Sequence, residues 1–260
     1  APIVGLPSGS RSGGAGVEKM PCRWSCDAWP AGGRFYKYDR KQPPRSLEEV
    51  RALWDQMQGV DAESQAAVST REPQLTKPAG ALGRMEDISL WLAGWQGNSR
   101  PNMTRPRVTV FAGSHGVCAQ GVSAFPVEVN QQMVENFING GAAINQICKT
   151  VDAELRVMEV ALEIPTNDFS QEPAMDDEGC AEAMAFGLSA IEKAIDLLVP
   201  GDMWIGNTTS AAPIAYALFR ADAAHLPAPL TRLHQETLYP HTPVLCSSCI
   251  TPTHESPLAI

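Results

Sequence analysis

The pentapeptide Ile205-Gly206-Asn207-Thr208-Thr209 carries the plainest chemistry in the chain. Apolar residues lead into it, and Gly206 permits a tight turn or a close backbone approach. Asn207 or Thr208 suits the cap of a following helix. The free N–H groups of that helix start, with two hydroxyls beside them, make a cradle for one phosphate. An ordinary helix cap would use the same residue types, and the pattern is not a Walker A loop, because GxxxxGK[ST] is absent. A second candidate is Gly113-Ser114-His115-Gly116. A histidine directly after a buried strand can serve as a general base, as a ligand contact or as a satisfied loop residue. Ser123 and Gln132 lie nine residues apart, one on the same glycine-bearing loop and one on the next helix. Together they can face a flat aromatic ligand.

Other chemistries are poorly supported. Of the seven cysteines, Cys246 and Cys249 have CxxC spacing, and Cys22 and Cys26 form the only other close pair. They lie over 200 residues from the first pair, so free thiols are expected and no metal site. The formal net charge of -9 argues against nucleic acid as a partner, which needs clustered Lys and Arg. It does not argue against one small phosphate ligand. No apolar run approaches the roughly 20 residues needed to span a bilayer. The opening APIVGLPSGSRSGG is too polar for a signal peptide. The expectation is a cytoplasmic protein without membrane contact. A hydrolase of the α/β type lacks its G-x-S-x-G elbow here.

The elements that must position these residues follow from periodicity. Ser46 and Glu49 have capping-box spacing, and Leu47, Val50, Leu53, Trp54 and Met57 continue at helical spacing. A second helix is predicted over 62–71. A third contains Leu82, Met85, Ile88, Leu92 and Trp95 on one side. Arg107 to Ala112 reads as a buried parallel strand, which runs into the loop SHGVCAQGVSAFP. Helices are predicted over 127–138 and AAINQICKT, a strand over 155–162, a long helix over 177–198, a short strand at 203–205 and a helix over 209–219. Strands alternating with helices imply an α/β fold with a mainly parallel sheet. Both glycine-bearing loops follow strands, at the carboxyl ends where such folds bind ligands.

Three regions are expected. Residues 1–45 hold eight bases and three acids, a net of +5, with no persistent period. They predict a basic, Gly/Pro-rich arm that is disordered or loosely packed. Residues 46–219 form the α/β domain. Residues 220–260 hold six prolines and four of the five histidines, with no amphipathic period, and predict an irregular tail.

Six strings occur in sequence: LTKPAGALGRMED (75–87), VFAGSHGV (110–117), GVSAFPVEVNQQMVENFINGGAAINQIC (121–148), MEVALEIPTND (158–168), AMAFGLSAI (183–191) and GDMWIGNTTSA (201–211). In order and spacing they resemble the signature segments of the nicotinate-nucleotide:dimethylbenzimidazole phosphoribosyltransferase family, over residues 46–219. The resemblance implies a Rossmann-like α/β fold, incomplete here at the C-terminus, and a homodimer that uses no cofactor. It implies transfer of ribose 5-phosphate from nicotinate mononucleotide to 5,6-dimethylbenzimidazole in cobalamin assembly. It places Ile205, Gly206, Asn207, Thr208 and Thr209 at the nucleotide, with Asp202 and Met203 beside it. It sets Ser123 and Gln132 near the benzimidazole pocket and His115 close by. Two residues depart from the pattern: Trp204 stands where the family has a glycine, and Ser114 where it has Asp or Asn. The resemblance also implies a proton-accepting glutamate beyond the matching region. Neither Glu236 nor Glu255 sits in its motif, so no catalytic residue is assigned and weak or no turnover is expected. The alternative is a non-catalytic nucleotide-binding or dimerising fragment.

Overall fold

The computed structural model describes residues 16–19, 43–192 and 195–219. The predicted tail at 220–260 and most of the predicted arm lie outside these residues. The described elements run β1 (Gly16–Lys19), α1 (Leu47–Asp55), α2 (Ala62–Arg71), α3 (Arg84–Gln96), β2 (Pro106–Ala112), α4 (Val129–Ile138), α5 (Ala143–Thr150), β3 (Glu154–Glu159), α6 (Asp177–Leu188), β4 (Leu197–Met203) and α7 (Asn207–Phe219). The fold is α/β, with a mainly parallel sheet flanked by helices, as the alternating pattern predicts. The strand order is β1-β3-β2-β4. The chain divides into two units.

Among the described residues the first unit contains 108–175 and 200–219, with β1. β2 and β3 are the inner strands, and their side chains are largely buried. Val110, Ala112, Leu155 and Val157 pack with Val134 and Phe137 of α4 and Cys148 of α5 in one core. Asn145 fixes the turn between those helices. Its carbonyl accepts from the Ala142 N–H at 3.1 Å, and its amide donates to the Phe137 carbonyl at 2.9 Å.

Three boundaries differ from the sequence reading. Gly16–Lys19 form a strand that pairs in parallel with Arg156–Glu159 of β3, inside a segment read as having no strand period. Four residues are too short to show a period against a Gly-rich background. The helix predicted over 177–198 ends at Leu188, and Leu197–Met203 is a strand. The apolar run Leu197-Leu198-Val199 fits either period, and Pro200 is tolerated because β4 is the outermost strand on its side among the described residues. The strand predicted at 203–205 is therefore the end of β4, and its turn begins at Trp204.

The second unit contains residues 43–107 and 176–199. Ser46 caps α1 by accepting from the Glu49 N–H at 3.2 Å, while the Glu49 carboxylate accepts from the Arg45 N–H at 2.8 Å. Asp61 caps α2 through the N–H groups of Glu63 and Ser64. α3 packs on α2, with Gly94 so close to Val60 that a side chain there would collide. The face of α3 expected from periodicity is only partly covered. Leu92 is buried and Trp95 half-buried, whereas Leu82, Met85 and Ile88 are exposed. Asp196 closes the unit by accepting from the N–H groups of Thr104 and Arg105.

Candidate functional site

β2, β3 and β4 deliver three loops within the first unit. The loop after β2 begins at Gly113 and makes a short 3-10 turn over Gly116–Gln120. After β3, Ala161 takes a positive φ of 47°. A side chain in this left-handed region costs about 1–2 kcal/mol, and here it turns Leu162 and Glu163 toward the loop after β2. Ser114 ties the two loops, donating its hydroxyl to the Leu162 carbonyl at 2.8 Å. After β4, Gly206 takes a φ of 81° and α7 begins at Asn207.

A cavity of about 1020 Å³ opens between the first two loops and the start of α4. Its wall includes Ser114, His115, Gly116 and Cys118, then Ser123, Phe125, Pro126, Val127, Asn130 and Gln131, then Leu162, Glu163 and Pro165. Such a wall, mainly apolar with a few polar groups, suits a flat organic ligand. Among the sequence-predicted residues, His115 and Ser123 line it. Ser123 accepts from the Phe125 N–H at 3.1 Å, which fixes the approach to α4. Gln132 is not among the lining residues, and its neighbour Gln131 is.

The remaining predicted residues gather at the turn after β4. Asp202 is exposed and accepts from the Asn207 amide at 2.6 Å. Met203 packs against the core of this unit. Ile205 and Thr209 are buried, and the N–H groups of Thr209 and Ser210 reach the Gly206 carbonyl. Thr208 is the second residue of α7, where backbone N–H groups and the helix dipole favour an anion. The cavity and the turn are bonded to one another. The Cys118 thiol donates to the Ile205 carbonyl at 3.1 Å, and the Asn130 side-chain oxygen accepts from the Ile205 N–H at 2.8 Å.

Charge in the site is muted. Burial lowers the His115 pKa from 6.5 to about 4, against a smaller upward pull from Asp202. The imidazole is therefore neutral near pH 7 and a weak proton acceptor. Burial also pushes the Cys118 thiol up. Among the described residues no group of three His, Cys, Asp or Glu is placed to hold a metal ion. No described helix is long and apolar enough to cross a membrane.

Sequence reasoning missed Asn130, Gln131 and the contacts of Trp204. Asn130 had a detectable signal. It falls on the same helical face as Val134 and Phe137, which are buried, so it is a polar residue at a core position.

Residues 57–257 match the family model described as Phosphoribosyltransferase; the part beyond Phe219 lies outside the described residues. The nicotinate-nucleotide–dimethylbenzimidazole phosphoribosyltransferase of Rhizobium rhizogenes is 51% identical over 192 residues, 74% of this chain and 56% of that protein. The like-named protein of Brucella anthropi is 54% identical over 177 residues, 68% of this chain and 52% of that protein. A crystal structure of the same-named enzyme from Thermus thermophilus superposes with a TM-score of 0.67 at 36% identity, covering 75% of this chain and 64% of that one. The chain spans a little over half the length of the curated relatives it matches. With the model match, the relatives and the shared fold in agreement, this chain belongs to the nicotinate-nucleotide–dimethylbenzimidazole phosphoribosyltransferase family.

Proposed function

We propose that the chain binds nicotinate mononucleotide and 5,6-dimethylbenzimidazole and transfers ribose 5-phosphate between them, releasing nicotinate and α-ribazole 5′-phosphate for cobalamin assembly. The observation that carries this reading is the direct bonding of a flat-ligand cavity to an anion-type turn through Asn130 and Cys118. Phosphate sits at Gly206–Thr209, against the start of α7. The acceptor base lies between Phe125, Pro126 and Leu162, with Ser123 and Gln131 at its polar edge. Gln131 thus takes the place expected for Gln132. Asp202 holds Asn207 and shapes the turn. Met203 anchors the end of β4 in the core, and Ile205 joins the turn to the cavity. His115 faces the base as a neutral hydrogen-bonding group.

Binding a nucleotide and a base in fixed positions aligns the attacking nitrogen with the anomeric carbon. The ring nitrogen of nicotinate mononucleotide is positively charged, so nicotinate leaves with the bonding pair and emerges uncharged at that nitrogen. The attacking base must then lose its N–H proton to water, since no side chain is assigned as its acceptor, and turnover is expected to be weak. His115 is too acidic in its protonated form to be a strong acceptor, so its role is to orient the base.

Isothermal titration with nicotinate mononucleotide, followed by chromatography for α-ribazole phosphate, tests the reading. Bound nucleotide with product supports transfer. Bound nucleotide without product leaves a nucleotide-binding protein, and no binding overturns the reading. We propose further that the protein is a cytoplasmic homodimer that binds neither nucleic acid nor membrane. The exposed row Leu82, Met85, Ile88 and Trp91 supports packing against a second copy, and analytical ultracentrifugation checks it.

A further inference from the structure

Trp204 stands in the turn where its indole could have pointed toward a bound phosphate. Instead it lies along the loop after β2. Its Nε1 donates to the Phe111 carbonyl at 2.9 Å. Its ring carbons lie 3.0–3.2 Å from where a side chain on Gly113 would begin. Its ring centre is 4.7 Å from that of His115, with the planes tilted by 32°. The indole is thus fixed at one end by a hydrogen bond, seated on a residue without a side chain, and packed on the one histidine of the cavity wall.

We propose that Trp204 is a positioning residue, which presses the His115 imidazole against the cavity wall as its hydrogen-bonding edge and so sets which flat heteroaromatic base the cavity accepts. The proposal rests on the functional reading above for the nature of the ligand, but its geometry is independent of that reading. The ring covers one side of the imidazole and keeps water from it. His115 itself lines the cavity, together with Ser114, Cys118 and Leu162. The charged groups on neighbouring elements are Asp202 at the end of β4, and Glu128 and Glu163 on the cavity wall. Burial disfavours the protonated ring, and the smaller pull of Asp202 favours it. An imidazole so held offers one N–H and one bare nitrogen in fixed directions. A benzimidazole-type base meets one of these groups with one of its own ring nitrogens and presents an otherwise apolar ring to the rest of the wall. A purine has the same five-membered edge but adds six-ring nitrogens that this mainly apolar wall leaves unpaired, and an unpaired buried group is what makes such a site selective.

The test follows the His115 ring nitrogens by NMR from pH 4 to 8 in the full chain, with His115→Gln assigning the signals. Wild type, Trp204→Phe and Trp204→Ala are compared, and each is titrated calorimetrically with dimethylbenzimidazole and with adenine. Trp204→Phe keeps a ring on the imidazole and loses the hydrogen bond to Phe111. It is expected to bind the base about two-fold more weakly, with His115 still neutral at pH 6. Trp204→Ala is expected to let His115 titrate near its ordinary value, to weaken dimethylbenzimidazole about ten-fold and to narrow its preference over adenine. Unchanged His115 signals and unchanged affinity in Trp204→Ala overturn the proposal. If that variant does not fold, Gly113→Ala, which displaces the indole from its seat, must reproduce the His115 shift or the proposal fails. If wild type binds no base while His115 responds to Trp204→Ala, the ligand reading is what fails.

Discussion

The side-chain oxygen of Asn130 accepts the Ile205 backbone N–H at 2.8 Å, so the first turn of α4 holds the turn that precedes α7. Asn130 is 1% exposed. Its amide donates to the Ser114 hydroxyl at 3.3 Å, and that hydroxyl donates to the Leu162 carbonyl at 2.8 Å. One buried chain of hydrogen bonds therefore joins the loops after β2, β3 and β4. In such a low-dielectric network an unpaired member is costly, which makes each link expensive to break singly.

Replacing Asn130 with alanine strands the Ile205 N–H without replacing the lost partner. An unsatisfied buried donor costs about 1–3 kcal/mol. The Asn130→Ala chain is expected to unfold at lower urea concentration by that amount, with an unchanged slope. Because the turn is released, the affinity for nicotinate mononucleotide should fall more than the affinity for dimethylbenzimidazole. Urea titration and calorimetry read the two effects separately.

The buried His115 links stability to pH. Its pKa in the folded chain is lowered from 6.5 to about 4. The unfolded chain therefore takes up a proton below pH 6.5 that the folded chain refuses until about pH 4. Its contribution is fully present above pH 6.5 and is lost as the pH falls through that window, on the order of 3 kcal/mol in all. Asp61 and Glu86 are also held below their ordinary values, first by hydrogen bonds from Ser64 and Lys77 respectively. At Asp168 burial pushes upward, but hydrogen bonds from Gln120 and Ser170 together outweigh it and hold the carboxyl low. These three add acid sensitivity of the same sign. The difference between wild type and His115→Gln isolates the histidine. The stability gap should move in the variant's favour between pH 7 and pH 4.5, and parallel curves would refute the link.

Gly206 is constrained twice. Its φ of 81° disfavours any side chain, and a Cβ would lie 2.7 Å from the Cys118 sulfur. Gly206→Ala is expected to cost about 2–4 kcal/mol, combining the backbone strain with the collision. Adding Cys118→Ala removes the sulfur and should restore the part due to collision, leaving the backbone part. The non-additivity of the pair, measured by thermal unfolding of both single variants and the double, separates the two causes.

Legibility in the sequence followed the physics of each segment. β2 was readable because an inner strand buries both faces and so becomes a continuous apolar run. α2 was readable because Asp61 caps it and Arg71 lies in its last turn. β4 was not, since its apolar run Leu197-Leu198-Val199 is short, fits either period and is cut off by Pro200 and Gly201. The turn at Gly206 was visible, because glycine, asparagine and threonine have local reasons to be there. Gln131 and Gln132 were not separable without the helix phase. The contacts of Trp204 with Phe111 and His115 join residues about 90 apart, and no local pattern encodes them.

The second unit offers a test that does not depend on ligand. Arg107 is 4% exposed, and its guanidinium donates to the Glu192 carboxylate at 2.9 Å and to the Ala190 carbonyl at 3.4 Å. Glu192 lies just past α6, so the pair ties that end to the start of β2. Removing one member of such a pair leaves a buried charge without that counter-ion, which costs about 3–5 kcal/mol. Glu192→Ala should therefore destabilise the chain by that amount. Replacing both residues with apolar ones of similar size, as in Arg107→Met with Glu192→Leu, should recover most of the loss, because the desolvation cost disappears with the charges. A double variant no more stable than Glu192→Ala would mean that the bond to the Ala190 carbonyl, and not the ion pair, holds this corner together.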